Sequence, residues 1–350
     1  MRSRSVVLRH ALRAVGVLVV LPVSLVAVLA LLSPATWSGA AYSLGLFVLL
    51  VGLVTLPSRV DRRRGIARAG IAILVLTGGV RVATSARGET AAMHAGTDAS
   101  PRVLNRILDE EDVAVTGART LIAIGGLTDP DVRELVPRMK DAYRTMRAEE
   151  GDLPSPVVAT YLGLESPGAS DTLVFEPLPS GARPAGAVLF LHGFAGSFTL
   201  PCWQLARAVA RVDLVTFCPS VGYRGDWWTA DGEATVRRTV AEIHARGIKR
   251  IWLAGLSNGG IGATRLAPRM PHTFEGLILI SGVAPDAATT SLPALVLQGR
   301  DDAMCPASLA RTYASRAHAR YVELDAGHFA MLVRSDKADR AIESWLRQRM

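Results

Sequence analysis

The distribution of apolar and polar positions divides the chain into three unlike parts. Residues 14–32 hold no charge and are rich in Val and Leu, and residues 33–58 form a second uncharged stretch. A bilayer core takes roughly 20 apolar residues as helix, so both stretches predict membrane-spanning helices, in which Pro22 and Gly52 are tolerable. A third apolar run, residues 69–80, lies between Arg68 and Arg81 and spans only if both arginines snorkel to opposite interfaces. The first stretch also has features of a cleaved signal, with Ser38-Gly39-Ala40 as a small-residue site, but its apolar run is long for one. Residues 1–87 are therefore expected to be a membrane anchor of two to three helices.

Residues 88–155 are polar and mostly helix-like. Asp129-Pro130 reads as an N-cap and first helical position. Val132, Leu135, Val136, Met139, Tyr143 and Met146 then recur at helical spacing, with Pro137 as an expected kink. No catalytic grouping stands out, and the stretch reads as a helical juxtamembrane spacer.

From residue 156 the period changes. Short apolar runs at 187–191, 214–217, 251–254, 277–280 and 294–297, and a last strand-like run at 321–324, alternate with helix-like segments at 200–211, 233–246, 260–267, 307–318 and 336–349. Residues 157–164 and 171–176 read as a preceding hairpin joined by a Ser-Pro-Gly turn. Runs this apolar are strands buried on both faces, and their alternation with helices predicts an α/β domain over 156–350. Its doubly wound, mostly parallel sheet would carry functional loops at the strand C-termini.

Composition narrows the function classes. Of 350 residues, 49% are hydrophobic and 20% charged, which excludes global disorder, and three cysteines exclude a disulfide-dense scaffold. The net charge of +8 invites a nucleic-acid reading. Its distribution opposes one: residues 1–90 carry eleven Arg against two acids, whereas the remaining 260 carry 28 basic and 29 acidic side chains. The basic residues flank apolar spans, so the partner they imply is the lipid bilayer. Positive charge before residue 14 and in 59–68 places both on the cytoplasmic side. With a third span, the later domain of this multi-pass protein lies outside the cytoplasm.

Gly255-Leu256-Ser257-Asn258-Gly259 follows the run 251–254 and opens a helix, the context of a G-x-S-x-G nucleophile elbow. Leu191-His192-Gly193-Phe194-Ala195-Gly196 follows the run 187–191, Gln298-Gly299-Arg300-Asp301-Asp302 the run 294–297, and Asp325-Ala326-Gly327-His328 the run 321–324. On these motifs, residues from about 156 onward resemble the α/β-hydrolase family of serine hydrolases. The resemblance implies Ser257 as nucleophile, His328 as base, and backbone N–H groups of Phe194 and Asn258 as an oxyanion hole. The family spacing to a proline, here Pro306, implies Asp302 as the acid, with Asp301 the alternative. His192 would shape its loop. The remaining histidines lack partners at ligand spacing, so neither metal nor cofactor is expected.

Only thirteen residues separate 277–280 from 294–297, too few for a lid domain. The loop 219–231 carries Tyr223, Trp227 and Trp228, read either as one wall of an acyl or alcohol pocket or as packing beneath a long loop. Cys202 and Cys218 fall near one edge of the sheet, so a bridge is possible, with two unpaired buried thiols as the alternative; Cys305 is left over. The expected activity is cleavage of small-molecule carboxylic esters through an acyl-enzyme. Acyl transfer or peptide cleavage by the same triad, and a catalytically silent membrane interaction protein, are the alternatives.

Overall fold

A computed structural model describes residues 34–54, 60–85, 88–94, 102–177 and 184–350. The expected first span, 14–32, lies outside the described residues. The chain forms two compact units.

In its described part, the smaller unit holds α1 (Trp37–Val54), α2 (Val60–Thr84) and residues 107–116. Glycines let α1 and α2 approach closely. A Cβ on Gly52 would meet Ala67 N at 2.6 Å, and one on Gly70 would meet Leu49 N at 2.5 Å. Small residues serve this purpose in apolar surroundings, where close van der Waals packing drives helix association. The stretch Arg64–Thr84, 21 residues with mean hydropathy 1.7, is the one helix among the described residues long and apolar enough to cross a membrane; Trp37–Leu53 is apolar but shorter. Arg81 departs from the snorkelling expected of it. It is 2% exposed, its Nη1 lies 3.6 Å from Asp109 Oδ2, and its Nη2 donates to Leu108 O. A guanidinium this buried needs such partners, and the returning segment 107–116 supplies them. The same segment tethers the start of α1: Asp112 Oδ1 accepts from the N–H groups of Ala35 and Thr36, and Oδ2 from the Thr36 hydroxyl.

The larger unit is built on an eight-stranded sheet: β1 (Ala91–His94), β2 (Thr172–Phe175), β3 (Gly186–Leu191), β4 (Leu214–Pro219), β5 (Ile251–Leu256), β6 (Gly276–Ile280), β7 (Ala294–Gly299) and β8 (Arg320–Leu324). Their order is β1-β2-β4-β3-β5-β6-β7-β8. β3 to β8 run parallel, and β1 and β2 add an antiparallel edge. After α2, the α-helices among the described residues are α3 (Leu104–Ile107), α4 (Glu110–Ala123), α5 (Asp131–Glu150), α6 (Val157–Tyr161), α7 (Thr199–Ala210), α8 (Ala230–Ala245), α9 (Asn258–Leu266), α10 (Ala307–Arg316), α11 (Ala330–Val333) and α12 (Ser335–Arg347). The central strands β3, β6 and β7 are buried along their whole length, as continuous apolar runs require when helices cover both faces. α12 turns Ala338, Ile342, Trp345 and Leu346 inward and closes one side of this core.

Three expectations need correction. Residues 157–164 are not a strand: 157–161 form α6, which buries Val157, Ala159 and Thr160 and ties the Thr160 hydroxyl to Val157 O. The β-branched pair Val157-Val158 suggested a strand, but Pro156 holds a helical φ of −69° and starts a turn. β2 consequently pairs with β1 and β4 instead of closing a hairpin. Residues 88–155 are also more than a spacer. They supply the edge strand β1 and the long helix α5, whose Leu135, Met139, Tyr143 and Met146 are buried. α5 starts at Asp131, one residue after Pro130, and continues through Pro137.

Candidate active site

β5 delivers Ser257 at its C-terminal end. The residue has φ +54°, a left-handed conformation that costs about 1–3 kcal/mol in a non-glycine residue. The turn is possible because its flanks have no side chains. A Cβ on Gly255 would fall 2.2 Å from Gly259 O, and one on Gly259 would fall 1.9 Å from Leu191 O. Ser257 thus stands at the start of α9, where unsatisfied backbone N–H groups favour negative charge.

The loops after β7 and β8 bring two further side chains to it. His328 Nε2 lies 3.0 Å from Ser257 Oγ. On the other edge of the ring, Nδ1 lies 2.9 Å from Asp302 Oδ2 and 3.1 Å from Oδ1. With the proton on Nδ1 donated to the carboxylate, Nε2 is an acceptor for the serine hydroxyl. Asp301 is exposed and turns no oxygen to the imidazole; its main chain instead bonds to Ala326 O. Of the two adjacent candidates, Asp302 is the one that reaches His328.

Asp302 is held from several directions. Its Oδ1 accepts from the N–H groups of Met304 and Cys305, at 2.9 and 2.8 Å. Its Oδ2 accepts from Gln298 Nε2 at 2.8 Å, and Gln298 also donates to Cys305 O. Cys305, the free cysteine, lies beside Asp302, whose Oδ1 accepts from its N–H. Burial, and then the nearby Asp302 charge, push its thiol up to about 11, so it remains a neutral thiol.

The loop after β3 passes beside the serine. A Cβ on Gly193 would lie 3.1 Å from Ser257 Cβ, which leaves the next residue, Phe194, beside the nucleophile. Asn258 opens α9, so its N–H has no intrahelical acceptor. Both residues thus lie on the backbone segments that flank the serine. His192 does not join them. It is buried, with Nδ1 bonding to Gly193 O and Nε2 accepting from Val221 N, and burial lowers its pKa to about 4. Its neutral ring links the loop after β3 to the loop after β4.

Trp227 is too deeply buried to wall a pocket, and neither tryptophan lines the cleft bordered by Tyr161 and Tyr223. Trp227 is fully buried, donates through Nε1 to His192 O, and meets His192 edge-on at 5.0 Å. Trp228 lies under the Arg265 guanidinium, 5.0 Å away. Tyr223 faces a cavity, stacks on Tyr161 at 6.2 Å and meets Phe194 edge-on at 5.9 Å. Tyr161 and Tyr223 border a cleft of about 480 Å³ that also touches Glu165, Ser166, Gly222 and Thr229. Phe194 is 61% exposed. Sequence patterns marked Trp227 and Trp228 because they are large aromatics in a loop after a strand; only the fold reveals which ring is exposed.

Cys202 and Cys218 are joined in a disulfide that links α7 to the end of β4, their Cα atoms 6.3 Å apart.

No protein-family model and no curated protein matches the chain. Solved structures resemble about half of it. Est1E from Butyrivibrio proteoclasticus is 13% identical, with TM-score 0.44, over 52% of this chain and 94% of its own. XC6422 from Xanthomonas campestris, an α/β serine hydrolase without lid, is 21% identical, with TM-score 0.42, over 51% and 90%. A thermophilic esterase from Thermogutta terrifontis is 16% identical, with TM-score 0.42, over 53% and 96%. The chain's own strand order, its antiparallel edge and the short β6–β7 connection are those of a lidless α/β-hydrolase fold.

Proposed function

We propose that this protein is a membrane-anchored serine hydrolase that cleaves carboxylic esters through a Ser257–His328–Asp302 triad. The observation that supports this reading most strongly is the continuous hydrogen-bonded chain from Ser257 Oγ through His328 to Asp302, with the serine raised on a strained turn.

Ser257 Oγ attacks the ester carbonyl carbon while its proton passes to His328 Nε2. Asp302, bonded to Nδ1, holds the ring and stabilises the imidazolium that forms. The oxyanion of the tetrahedral intermediate takes hydrogen bonds from the N–H groups of Phe194 and Asn258. Collapse breaks the bond to the alcohol oxygen, which takes the proton from His328 and leaves an acyl-serine. Water then attacks that acyl carbon and gives its proton to His328. Expulsion of Ser257 Oγ, which takes the proton back, releases the carboxylic acid and restores the resting state. The rim of Phe194, Tyr223 and Tyr161 supplies apolar surface for an acyl or alcohol group.

The anchor belongs to the same reading. Residues 69–80, within the apolar helix Arg64–Thr84, serve as one span, and the apolar stretches 14–32 and 33–58 as two more. The arginines before residue 14 and in 59–68 then lie in the cytoplasm, and the catalytic unit outside it. The Cys202–Cys218 disulfide fits an oxidising compartment. Hydrolysis of a series of aryl esters by the full chain and its Ser257→Ala variant tests the chemistry: turnover should vanish in the variant at every chain length, and retained turnover refutes the triad. Comparison of intact cells with lysates tests the topology, and activity seen only after lysis refutes the external placement.

A further inference from the structure

The triad loops are fastened to a segment far upstream of them. Asp131, the first residue of α5, is fully buried. Its Oδ1 accepts from Gly327 N at 2.8 Å and its Oδ2 from Phe329 N at 2.9 Å. One carboxylate therefore binds the peptide N–H groups on either side of His328. Three residues earlier, the Thr128 hydroxyl donates to Asp301 O, the residue next to Asp302. Asp301 N in turn donates to Ala326 O at 3.1 Å, which joins the acid loop to the histidine loop.

The fit is close. A Cβ on Gly327 would lie 2.7 Å from Asp131 Oδ2 and 2.8 Å from Thr128 Oγ1, so a larger residue there would have to displace both strap side chains. Burying a carboxylate is costly unless its oxygens are hydrogen-bonded, and here both oxygens are used on the backbone that carries His328. Burial still raises the Asp131 carboxyl above the usual range, against the two N–H groups that lower it. A short apolar residue would avoid that cost but leave the Gly327 and Phe329 N–H groups without this acceptor. The carboxylate instead fixes two peptide planes of the histidine loop, Ala326–Gly327 and His328–Phe329, the second of which carries the His328 Cα.

We propose that Asp131 and Thr128 are positioning residues for the triad, holding the His328 and Asp302 loops in register with Ser257. Residues 128–131 then form an integral support of the active site. The proposal rests on the triad reading given above. Misplacement of a reacting group by about 1 Å costs on the order of 100-fold in rate, so a loosened strap should act on kcat and spare binding.

The test uses the full chain with sites counted by a fluorophosphonate probe. Asp131→Asn keeps the shape but turns an NH2 group toward one of the two N–H donors. Its kcat per labelled site should fall about 10- to 100-fold with KM within about twofold, and labelling of Ser257 should slow in parallel. Thr128→Val should lower kcat per site about three- to tenfold, and Thr128→Ser, which keeps the hydroxyl, should restore it. A merely structural role would reduce the number of active molecules and leave kcat per site unchanged. A kcat per site within twofold of the parent in Asp131→Asn overturns the proposal. Should that variant fail to fold, an unchanged value in Thr128→Val overturns it. Failure of the triad reading is separate: it would appear as labelling that survives Ser257→Ala.

Discussion

Gln298 Nε2 donates a 2.8 Å hydrogen bond to Asp302 Oδ2, the same oxygen that faces His328 Nδ1 at 2.9 Å. The acid of the proposed triad is thus oriented by a buried amide at the end of β7, four residues earlier in the chain. Replacing Gln298 by Met keeps much of the volume and removes both donors. Groups that orient a catalytic ligand in this way are worth roughly 10-fold or more in activity, so kcat/KM on an aryl ester should fall about tenfold in a folded protein. A change of less than twofold would show that the two N–H groups of Met304 and Cys305 suffice.

The pH dependence of stability should carry the signature of His192. Burial depresses its pKa from 6.5 to about 4 in the folded protein. Between those values the unfolded chain binds a proton that the folded one excludes, so this group lowers stability as pH falls through that window. The full effect is at most about 3 kcal/mol, complete only near pH 4. Denaturant midpoints measured from pH 7 to 4 should drop more steeply for the parent than for His192→Gln. Parallel curves would refute the assignment of a neutral, buried ring.

The Cys202–Cys218 bridge closes a 16-residue separation. Loops of this size contribute roughly 3 kcal/mol through the unfolded state. The double variant Cys202→Ala with Cys218→Ala should lose about that much in chemical denaturation, and a reducing agent should bring the parent to a similar value. An insensitive parent would mean the bridge contributes little to folding.

Trp227 and Tyr223 should separate cleanly. Trp227→Ala empties a fully buried site and should cost about 3–5 kcal/mol of stability. Tyr223→Ala removes a ring that is 44% exposed beside Phe194, and should raise KM several-fold while changing stability by less than about 1 kcal/mol. A KM effect confined to Trp227 would restore the tryptophans as the pocket wall.

These contrasts show what was legible in the sequence. Ser257, Asp302 and His328 could be placed because each sits in a short motif just after an apolar strand, and the parallel sheet brings those strand ends to one edge. Gln298 sits within such a motif, yet nothing local signals that its amide turns back to Asp302. Asp131 and Thr128 lie 173 to 198 residues from the groups they bind, and no periodicity encodes that pairing. β1, four residues long, is too short for an alternation signal, and in α6 a proline start overrides the β-branched propensity that points to a strand. The disposition of Arg81 depends on a return of the chain at 107–116, and the burial of Trp227 on contacts with His192. Both are tertiary facts that composition cannot supply.

The central assignment is a single nucleophile at Ser257. Incubating the full chain with a fluorophosphonate and mapping the adduct by peptide mass spectrometry tests it most directly. A single phosphonyl group on Ser257, absent from Ser257→Ala and strongly reduced in His328→Ala, is the expected result. An adduct on any other residue, or equal labelling of the His328→Ala variant, would contradict it.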